Sequence, residues 1–310
     1  MPLRDELNGY LRPSRTFFGI QEAETGVSDV GVLGIPYDLT SSHTPGPRFG
    51  PDAIRSATDS ERSHSYGLTL GTQQTVDGPL SKLITLEDIG DLEVGVQLPE
   101  SVMYHISDAA SILAKTSSRL LFLGGDHFIT YPIVKGLKRG CPGTYGIVYL
   151  DSHADFYEDM GGMTLSHAST LRRIVDEDIV TRDHIIGYDL RCALPEQRSD
   201  LGQQACPRTI ADFNESLQKV SEKVDYLHVS VDLDVLQPQL VPGVSHPETG
   251  GLSFSDMVDT LRICFQTFKV ASADVVEFNP LLDHSQLTSI IARDVVKELL
   301  SGFAYQKHYK

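Results

Sequence analysis

Cysteine is scarce in this chain of 310 residues, and its four cysteines, at positions 141, 192, 206 and 264, show no CxxC spacing. This pattern fits neither a disulfide-rich secreted scaffold nor a zinc ribbon. Positive charge is also in deficit, because 26 Lys and Arg residues face 42 Asp and Glu residues, for a formal net charge of −16. Nucleic-acid-binding proteins normally carry a basic surface, so we expect no nucleic-acid partner and favour a small cationic ligand.

Long hydrophobic runs are missing too. No segment approaches the roughly 20 apolar residues that a transmembrane helix needs, and the first residues lack the apolar core of a signal peptide. We therefore expect a cytoplasmic protein with no membrane partner. The sequence also contains no GxSxG nucleophile elbow, no GxxxxGK[ST] phosphate loop and no HExxH zinc motif, which argues against the enzyme classes that depend on them.

Short apolar segments do recur along the chain, and each is hydrophobic on both faces, as buried parallel strands are. They predict strands at 30–35, 119–123, 145–150, 226–231 and 270–276. Amphipathic patterns predict helices at 101–115, 254–268 and 285–300, with Gly302 as the C-cap of the last. Strands that alternate with helices predict one α/β domain with a parallel sheet covered on both faces.

Ionisable residues follow four of the predicted strands. In strand order they are His127, then Asp151, His153 and Asp155, then Asp232 and Asp234, and finally Glu277. Ligand sites of parallel α/β sheets form at the carboxyl ends of the strands. We therefore expect these side chains to meet at one edge of the sheet.

The spacing of the acidic residues predicts a metal site. If the backbone stays extended, Asp151, His153 and Asp155 share one face, and Asp232 and Asp234 repeat this geometry. An Asp helix cap could explain one of these residues but not the spacing. Bound cations would offset the cost of burying such groups, and two divalent ions balance four carboxylates. Oxygen-rich ligation with some imidazole favours Mn²⁺ over Zn²⁺.

The motifs together resemble those of the ureohydrolases, the arginase and agmatinase family. The matching segments are GGDH (124–127), DSHAD (151–155), SVDLDVLQP (230–238) and VVEFNP (275–280), while GIPYD (34–38) and TPGPRFGPDAIR (44–55) resemble the agmatinase branch in particular. The resemblance implies a three-layer α/β/α fold with a mainly parallel eight-stranded sheet, two Mn²⁺ ions per chain and a homotrimer or homohexamer. It predicts a single domain over residues 1–310, with residues 1–29 as an N-terminal extension packed on it.

Carried over motif by motif, the resemblance implies roles for individual residues. The implied metal ligands are His127, Asp151, His153, Asp155, Asp232 and Asp234. Asp151 and Asp232 would be shared between the two ions, and Asp155 would also accept a hydrogen bond from the attacking water. Glu277 would bind a substrate guanidinium, and His167 would contact the substrate and shuttle protons. The alternatives are that His167 is a surface-loop histidine and that Glu277 forms an ion pair with an arginine such as Arg293 or makes another structural contact.

The implied reaction is hydrolysis of a guanidino compound to urea and an amine. We favour agmatine, a route to polyamines, over guanidinobutyrate, arginine and formiminoglutamate. The segment 156–166 has two extra residues relative to agmatinases and lacks the asparagine-bearing SGN-type segment of arginases, and Ala168 replaces the usual glycine after His167. Glu158 and Asp159 either attract a distal ammonium or are solvated loop charges. A mononuclear zinc deacylase of related fold and a metal-stabilised binding protein are the alternatives from other classes.

Overall fold

The computed structural model describes residues 2–12, 17–19, 28–58, 80–116, 118–202 and 205–310. Within these ranges, eight strands form one sheet: β1 (Leu11–Arg12), β2 (Val30–Ile35), β3 (Leu86–Leu92), β4 (Arg119–Gly124), β5 (Tyr145–Leu150), β6 (Ile185–Tyr188), β7 (Tyr226–Asp232) and β8 (Val270–Val276). Their order across the sheet is β1-β3-β2-β4-β8-β7-β5-β6. Only β1 runs antiparallel, to β3, so the mainly parallel eight-stranded sheet is confirmed.

Ten α-helices connect the strands: α1 (Leu3–Glu6), α2 (Gly50–Thr58), α3 (Leu80–Leu83), α4 (Pro99–Leu113), α5 (Thr130–Gly140), α6 (Thr170–Asp176), α7 (Pro195–Leu201), α8 (Ile210–Ser221), α9 (Phe254–Thr267) and α10 (Leu287–Tyr309), as counted over the described ranges. Single 3₁₀ turns at His127–Ile129 and Leu233–Val235 follow the ends of β4 and β7, and another, at His167–Ser169, directly precedes α6. No helix in the described part of the chain is both long and apolar enough to span a membrane.

Two hydrophobic cores lie on opposite faces of the sheet, which makes the fold a three-layer α/β/α sandwich. Along β4, Leu121 and Leu123 pack into one core, which α8, α9 and α10 cover. The alternate residues Leu120 and Phe122 pack into the other core, beneath α4, α5 and α6. This alternation is why the strands are apolar on both faces, the feature from which they were predicted.

The N-terminal extension has a packed part among its described residues. Leu3 and Leu7 are buried in the core that α4 and α5 cover, and β1 adds to the edge of the sheet by pairing with β3. Residues 13–16 and 20–27 lie outside the described residues. The division into one domain with an extension over residues 1–29 stays a prediction.

The five predicted strands are confirmed. Three strands were missed, namely β1, β6 and the longest of them, β3. Its sequence, LEDIGDL, does not read as a buried strand because three of its seven residues are acidic. The side chains of Asp88 and Asp91 are nevertheless buried, since both accept hydrogen bonds from Arg55 of α2, which is itself fully buried. A partner 33 residues away in sequence thus decides the burial of this strand.

The predicted end of the last helix is wrong. Instead of stopping at Gly302, α10 continues to Tyr309. Gly302 lies where α10 crosses α9, and a Cβ atom at this position would come within 2.2 Å of Cδ2 of Phe265. The glycine is therefore explained by close helix packing rather than by helix termination.

Candidate metal centre

The carboxyl ends of four neighbouring strands, in the order β4-β8-β7-β5, bring all seven predicted strand-end residues to one edge of the sheet. β4 reaches this edge by passing very close to the end of β2. At Gly125 a Cβ atom would lie 1.8 Å from the carbonyl oxygen of Tyr37, so only glycine allows the crossing. The next turn then places His127 in the site, fully buried.

Three carboxylate oxygens surround one nitrogen of His127. Its Nδ1 lies 3.0 Å from Oδ2 of Asp151, 3.1 Å from Oδ2 of Asp232 and 3.4 Å from Oδ2 of Asp155. All four side chains are buried. One imidazole nitrogen cannot satisfy three carboxylates, and Oδ2 of Asp151 has no hydrogen-bond partner among the described residues.

A hydrogen-bond chain beneath His127 fixes the orientation of its ring. Ser230 donates its hydroxyl proton to Asp274 over 2.6 Å, so its oxygen accepts from Nε2 of His127 at 2.9 Å. His228 lies 2.9 Å from the other oxygen of Asp274. In the neutral ring, the lone pair of Nδ1 therefore faces the carboxylates, an arrangement that a metal cation stabilises and that fits a histidine ligand.

A second cluster adjoins the first through Asp151. Nδ1 of His153 lies 3.0 Å from Oδ2 of Asp234 and 3.5 Å from Oδ1 of Asp151. Asp151 thus presents one oxygen to each cluster, as expected of a shared ligand. Asp232 contacts only the first cluster through Oδ2, because its Oδ1 accepts a hydrogen bond from the backbone of Asp234 at 2.8 Å.

The six side chains converge, but not through an extended backbone. β5 ends at Leu150, and the chain bends as the backbone N–H of His153 donates to Oδ1 of Asp151 over 2.6 Å. Asp155 then adopts a left-handed conformation with φ of +45°. The hydroxyl of Tyr149 donates to Oδ2 of Asp155 over 2.7 Å and holds it towards the centre. The predicted strand geometry over 151–155 is wrong, although the predicted meeting of these residues is confirmed.

The electrostatics of the cluster favour bound cations. Burial and the charges of Asp234 and Asp151 raise the pKa of Asp232 well above its ordinary value. Burial and the charge of Asp151 likewise raise the pKa of Asp155 to about 7. These carboxylates are buried with too little positive charge around them, and divalent cations would offset the free-energy cost of burying them. The residues present therefore fit a two-metal site.

Glu277 and His167 form a pair beside the two clusters. Oε1 of Glu277 accepts from the backbone N–H of His127 at 2.8 Å and lies 3.2 Å from Nδ1 of His167. Oε2 of Glu277 is buried without a hydrogen-bond partner in the described part of the chain. Arg293 instead pairs with Asp294 at 2.9 Å, so the proposed Arg293–Glu277 ion pair is wrong. The surface-loop interpretation of His167 is wrong as well, because its side chain is only 9% exposed.

Sequence reasoning missed several residues around this pair. Ser42 donates its backbone N–H to Nε2 of His167 at 3.2 Å, and the ring of His246 lies 5.1 Å from that of His167. Tyr149, besides holding Asp155, stacks on His127 with 4.3 Å between ring centroids. Ser42 lies between two motifs of the agmatinase-like segment, which is the only signal the sequence offers for it. His246 lies in a loop without a periodic pattern.

Glu158 and Asp159 are exposed in the loop that leaves the site. Oδ1 of Asp159 accepts a hydrogen bond from the backbone N–H of Gly162 at 2.7 Å, within a tight turn. This contact gives Asp159 a local structural role. It favours the interpretation of these residues as loop charges over recognition of a distal ammonium.

Comparison with known proteins agrees with this geometry. Residues 28–302 match the profile of the Arginase family. The protein named Arginase 1, mitochondrial, of Oryza sativa subsp. indica is 34% identical over 86% of this chain and 79% of its own length. An agmatinase of Bacillus anthracis is 28% identical over 89% of this chain and 92% of its own. The solved structure of proclavaminate amidino hydrolase from Streptomyces clavuligerus has a TM-score of 0.80 and 28% identity, with coverage of 95% of this chain and 98% of that one.

The fold and the clustered ligand-type residues define a hydrolase of the ureohydrolase class. The chain belongs to the Arginase family, whose members are metal-dependent enzymes with two-metal centres that act on C–N bonds. The relatives carry three different activities in their names, so membership by itself does not select a substrate.

Proposed function

We propose that this protein is a dimanganese amidinohydrolase that converts agmatine and water to putrescine and urea. The observation that carries the proposal is the buried carboxylate of Glu277, which has one unpartnered oxygen and stands next to the metal-ligand cluster. Its charge exceeds what two divalent ions would balance. A buried carboxylate is costly unless a cation pairs with it, and the planar guanidinium suits it well.

The metal-binding roles follow from the two clusters. His127, Asp155 and Asp232 would hold one Mn²⁺ ion, His153 and Asp234 the other, and Asp151 would contribute to both. The family resemblance implies that Asp232 is also shared, but in this structure its Oδ1 is occupied by the backbone N–H of Asp234. Bound in this way, two divalent ions would lower the pKa of a water molecule, so that it could attack near neutral pH. A donor set of carboxylate oxygens with two imidazoles supports manganese as its occupant.

The protein residues position and protonate the substrate. Glu277 orients the guanidinium so that its central carbon faces the metal-ligand cluster, and Asp155 accepts a hydrogen bond from the attacking water. His167, between Glu277 and Ser42, gives a proton to the departing amine. Burial lowers the pKa of His167, but the hydrogen bond and charge of Glu277 outweigh burial and raise it to about 9, so a proton is available at neutral pH.

Agmatine is favoured by two features of the sequence. Segments 34–38 and 44–55 are similar to those of agmatinases, and the region before His167 lacks the asparagine-bearing segment with which arginases bind an amino-acid carboxylate. The Bacillus anthracis relative named agmatinase supports this preference. The higher identity to a plant arginase does not decide it, because 34% and 28% identity both leave the residues around a substrate tail free to differ.

A substrate panel tests the proposal. Protein loaded with Mn²⁺ is incubated with agmatine, guanidinobutyrate, arginine, formiminoglutamate and an acetyl-lysine peptide, and the urea, glutamate and acetate that are released are measured. We expect urea from agmatine with the highest kcat/KM. A higher kcat/KM for arginine would reverse the choice of substrate. Deacetylation without any urea formation would instead support the zinc deacylase.

We also propose that the enzyme acts in the cytoplasm as a homotrimer or homohexamer. The family resemblance supports the oligomer, and the composition supports the location. Light scattering coupled to size-exclusion chromatography of the Mn²⁺-loaded protein measures the assembly, and we expect a mass of three or six chains. A monomeric mass would contradict this part of the proposal.

A further inference from the structure

Two histidines and a carboxylate form a cluster next to the six proposed metal ligands, but share no residue with them. One ligand-type atom from each of His167, His246 and Glu277 lies within 4.8 Å of the others. His167 and Glu277 are buried, and His246 is half-buried in a loop. Two imidazoles with one carboxylate are a donor set that zinc enzymes use.

The carboxylate of Glu277 offers this cluster one oxygen that is free to bind a cation. Oε2 of Glu277 is buried and makes no hydrogen bond within the described residues. If two divalent ions balance the four aspartates, Glu277 remains as a fifth carboxylate, which has the imidazole of His167 as its ion-pair partner. This position therefore attracts a cation whether or not a guanidino compound is present.

The imidazole rings of His167 and His246 both direct Nε2 towards the hydroxyl of Ser42. Its Oγ lies 3.0 Å from Nε2 of His167 and 3.3 Å from Nε2 of His246. The donor atoms of a tetrahedral zinc shell lie about 3.4 Å apart, since each is about 2.1 Å from the metal. The three ligand-type atoms lie within 4.8 Å of one another, so a movement of about 1.4 Å or less would bring them to this spacing.

We propose that His167, His246 and Glu277 bind one Zn²⁺ ion in addition to the metal pair, and that this zinc excludes the guanidino substrate. The exclusion rests on the proposed function, because both cations would use Glu277. Imidazole-containing sites bind Zn²⁺ more tightly than Mn²⁺, in line with the Irving–Williams order. Zinc would thus act as a reversible, competitive inhibitor of the manganese enzyme.

The direct test counts metals. Protein holding two Mn²⁺ ions per chain receives one equivalent of Zn²⁺, is desalted and is analysed for both elements. We expect two manganese and one zinc per chain, with zinc X-ray absorption showing two imidazole ligands. If zinc replaces manganese, so that the total stays at two metals, the proposal is overturned.

Substitutions test which residues bind the zinc ion. His246→Asn should weaken zinc binding at least tenfold in competition with a chromogenic chelator, and Glu277→Gln should do the same. His43→Asn is the matched control, because the ring of His43 lies 5.9 Å from that of His246 but outside the cluster, so zinc binding should stay at the wild-type level. Wild-type zinc affinity in His246→Asn would refute the assignment.

Kinetics then separate the two proposals. With agmatine as substrate, zinc should raise the apparent KM and leave kcat unchanged, and the effect should shrink at least tenfold in His246→Asn. A fall in kcat at constant KM would contradict competition for Glu277. If no guanidino compound is hydrolysed at all, the proposed function fails, whereas the metal counts still decide whether the third site exists.

Discussion

Two regions of this molecule bury carboxylates, and they differ in what neutralises the negative charge. Beside β3, Asp88 and Asp91 are neutralised by protein cations, since the buried Arg55 bonds to both and Arg12 lies 3.3 Å from Asp91. At the carboxyl ends of β4, β5, β7 and β8, four aspartates and Glu277 have only histidines as ion-pair partners within the described residues. The first cluster is complete as folded. The second is complete only with added cations, which marks it as the functional one.

The largest effect, on the free energy of unfolding, is expected from breaking the cluster of Arg55, Asp88 and Asp91. Arg55→Leu leaves Asp88 and Asp91 buried without their main partner, so it should lower the free energy of unfolding by about 3–5 kcal/mol. Chemical denaturation of the manganese-loaded protein measures the loss. Arg262→Leu removes a cation from the exposed pair with Asp259 and should change stability by less than about 1 kcal/mol. Equal effects of the two substitutions would show that the Arg55 cluster is not a structural ion pair.

The next effect concerns Glu277, whose Oε2 has no hydrogen-bond partner among the described residues. Glu277→Gln keeps the shape and removes the charge, so both manganese ions should stay bound while kcat/KM for agmatine falls about a hundredfold, or about 3 kcal/mol. Metal analysis together with a urea assay gives both values. Loss of manganese would place Glu277 among the metal ligands, and near-normal turnover would mean that it does not bind the guanidinium.

A smaller effect, on manganese affinity, is expected from removing the hydrogen bond between Ser230 and His127. Ser230→Ala removes the acceptor that fixes its ring, so manganese affinity should fall roughly 10- to 100-fold while the site remains able to bind metal. Titration with a fluorescent chelator measures the change. Ser221→Ala, which changes a half-buried serine at the end of α8, is the control and should leave the affinity unaltered. If Ser230→Ala binds manganese as the wild type does, the hydrogen-bond chain does not set the ring orientation.

The smallest effect is a pH dependence confined to the metal-free protein. Burial and Asp151 raise the pKa of Asp155 to about 7 in the folded state. The stability that its proton contributes is present below the ordinary aspartate pKa of 3.8 and is lost as the pH rises through 7. The Tm of chelator-treated protein should therefore fall by a few degrees between pH 5 and 8.

Calorimetry of treated and manganese-loaded samples across this pH range tests the difference. The loaded protein should show a much flatter curve, because cations then take the place of the proton. The same slope in both samples would mean that groups outside the metal centre determine it.

The contrast between the two clusters also explains what the sequence could predict. The ionisable residues at the ends of apolar strands were found because β4, β5, β7 and β8 are recognisable locally and their carboxyl ends must meet. The Arg55 cluster was missed because β3 is acidic and is buried only through a distant arginine. Ser42 and His246 were missed for a related reason, since tertiary packing alone brings their loops to His167.

One hydrogen bond in the site links the binding of manganese to the binding of substrate. The backbone N–H of His127 donates to Glu277, so the segment that offers an imidazole to manganese also fixes the carboxylate proposed for the guanidinium. Binding of the two ligands should therefore be cooperative, and by thermodynamic reciprocity each should tighten the other by the same factor. Chains that have not yet acquired manganese would then leave the substrate pool untouched.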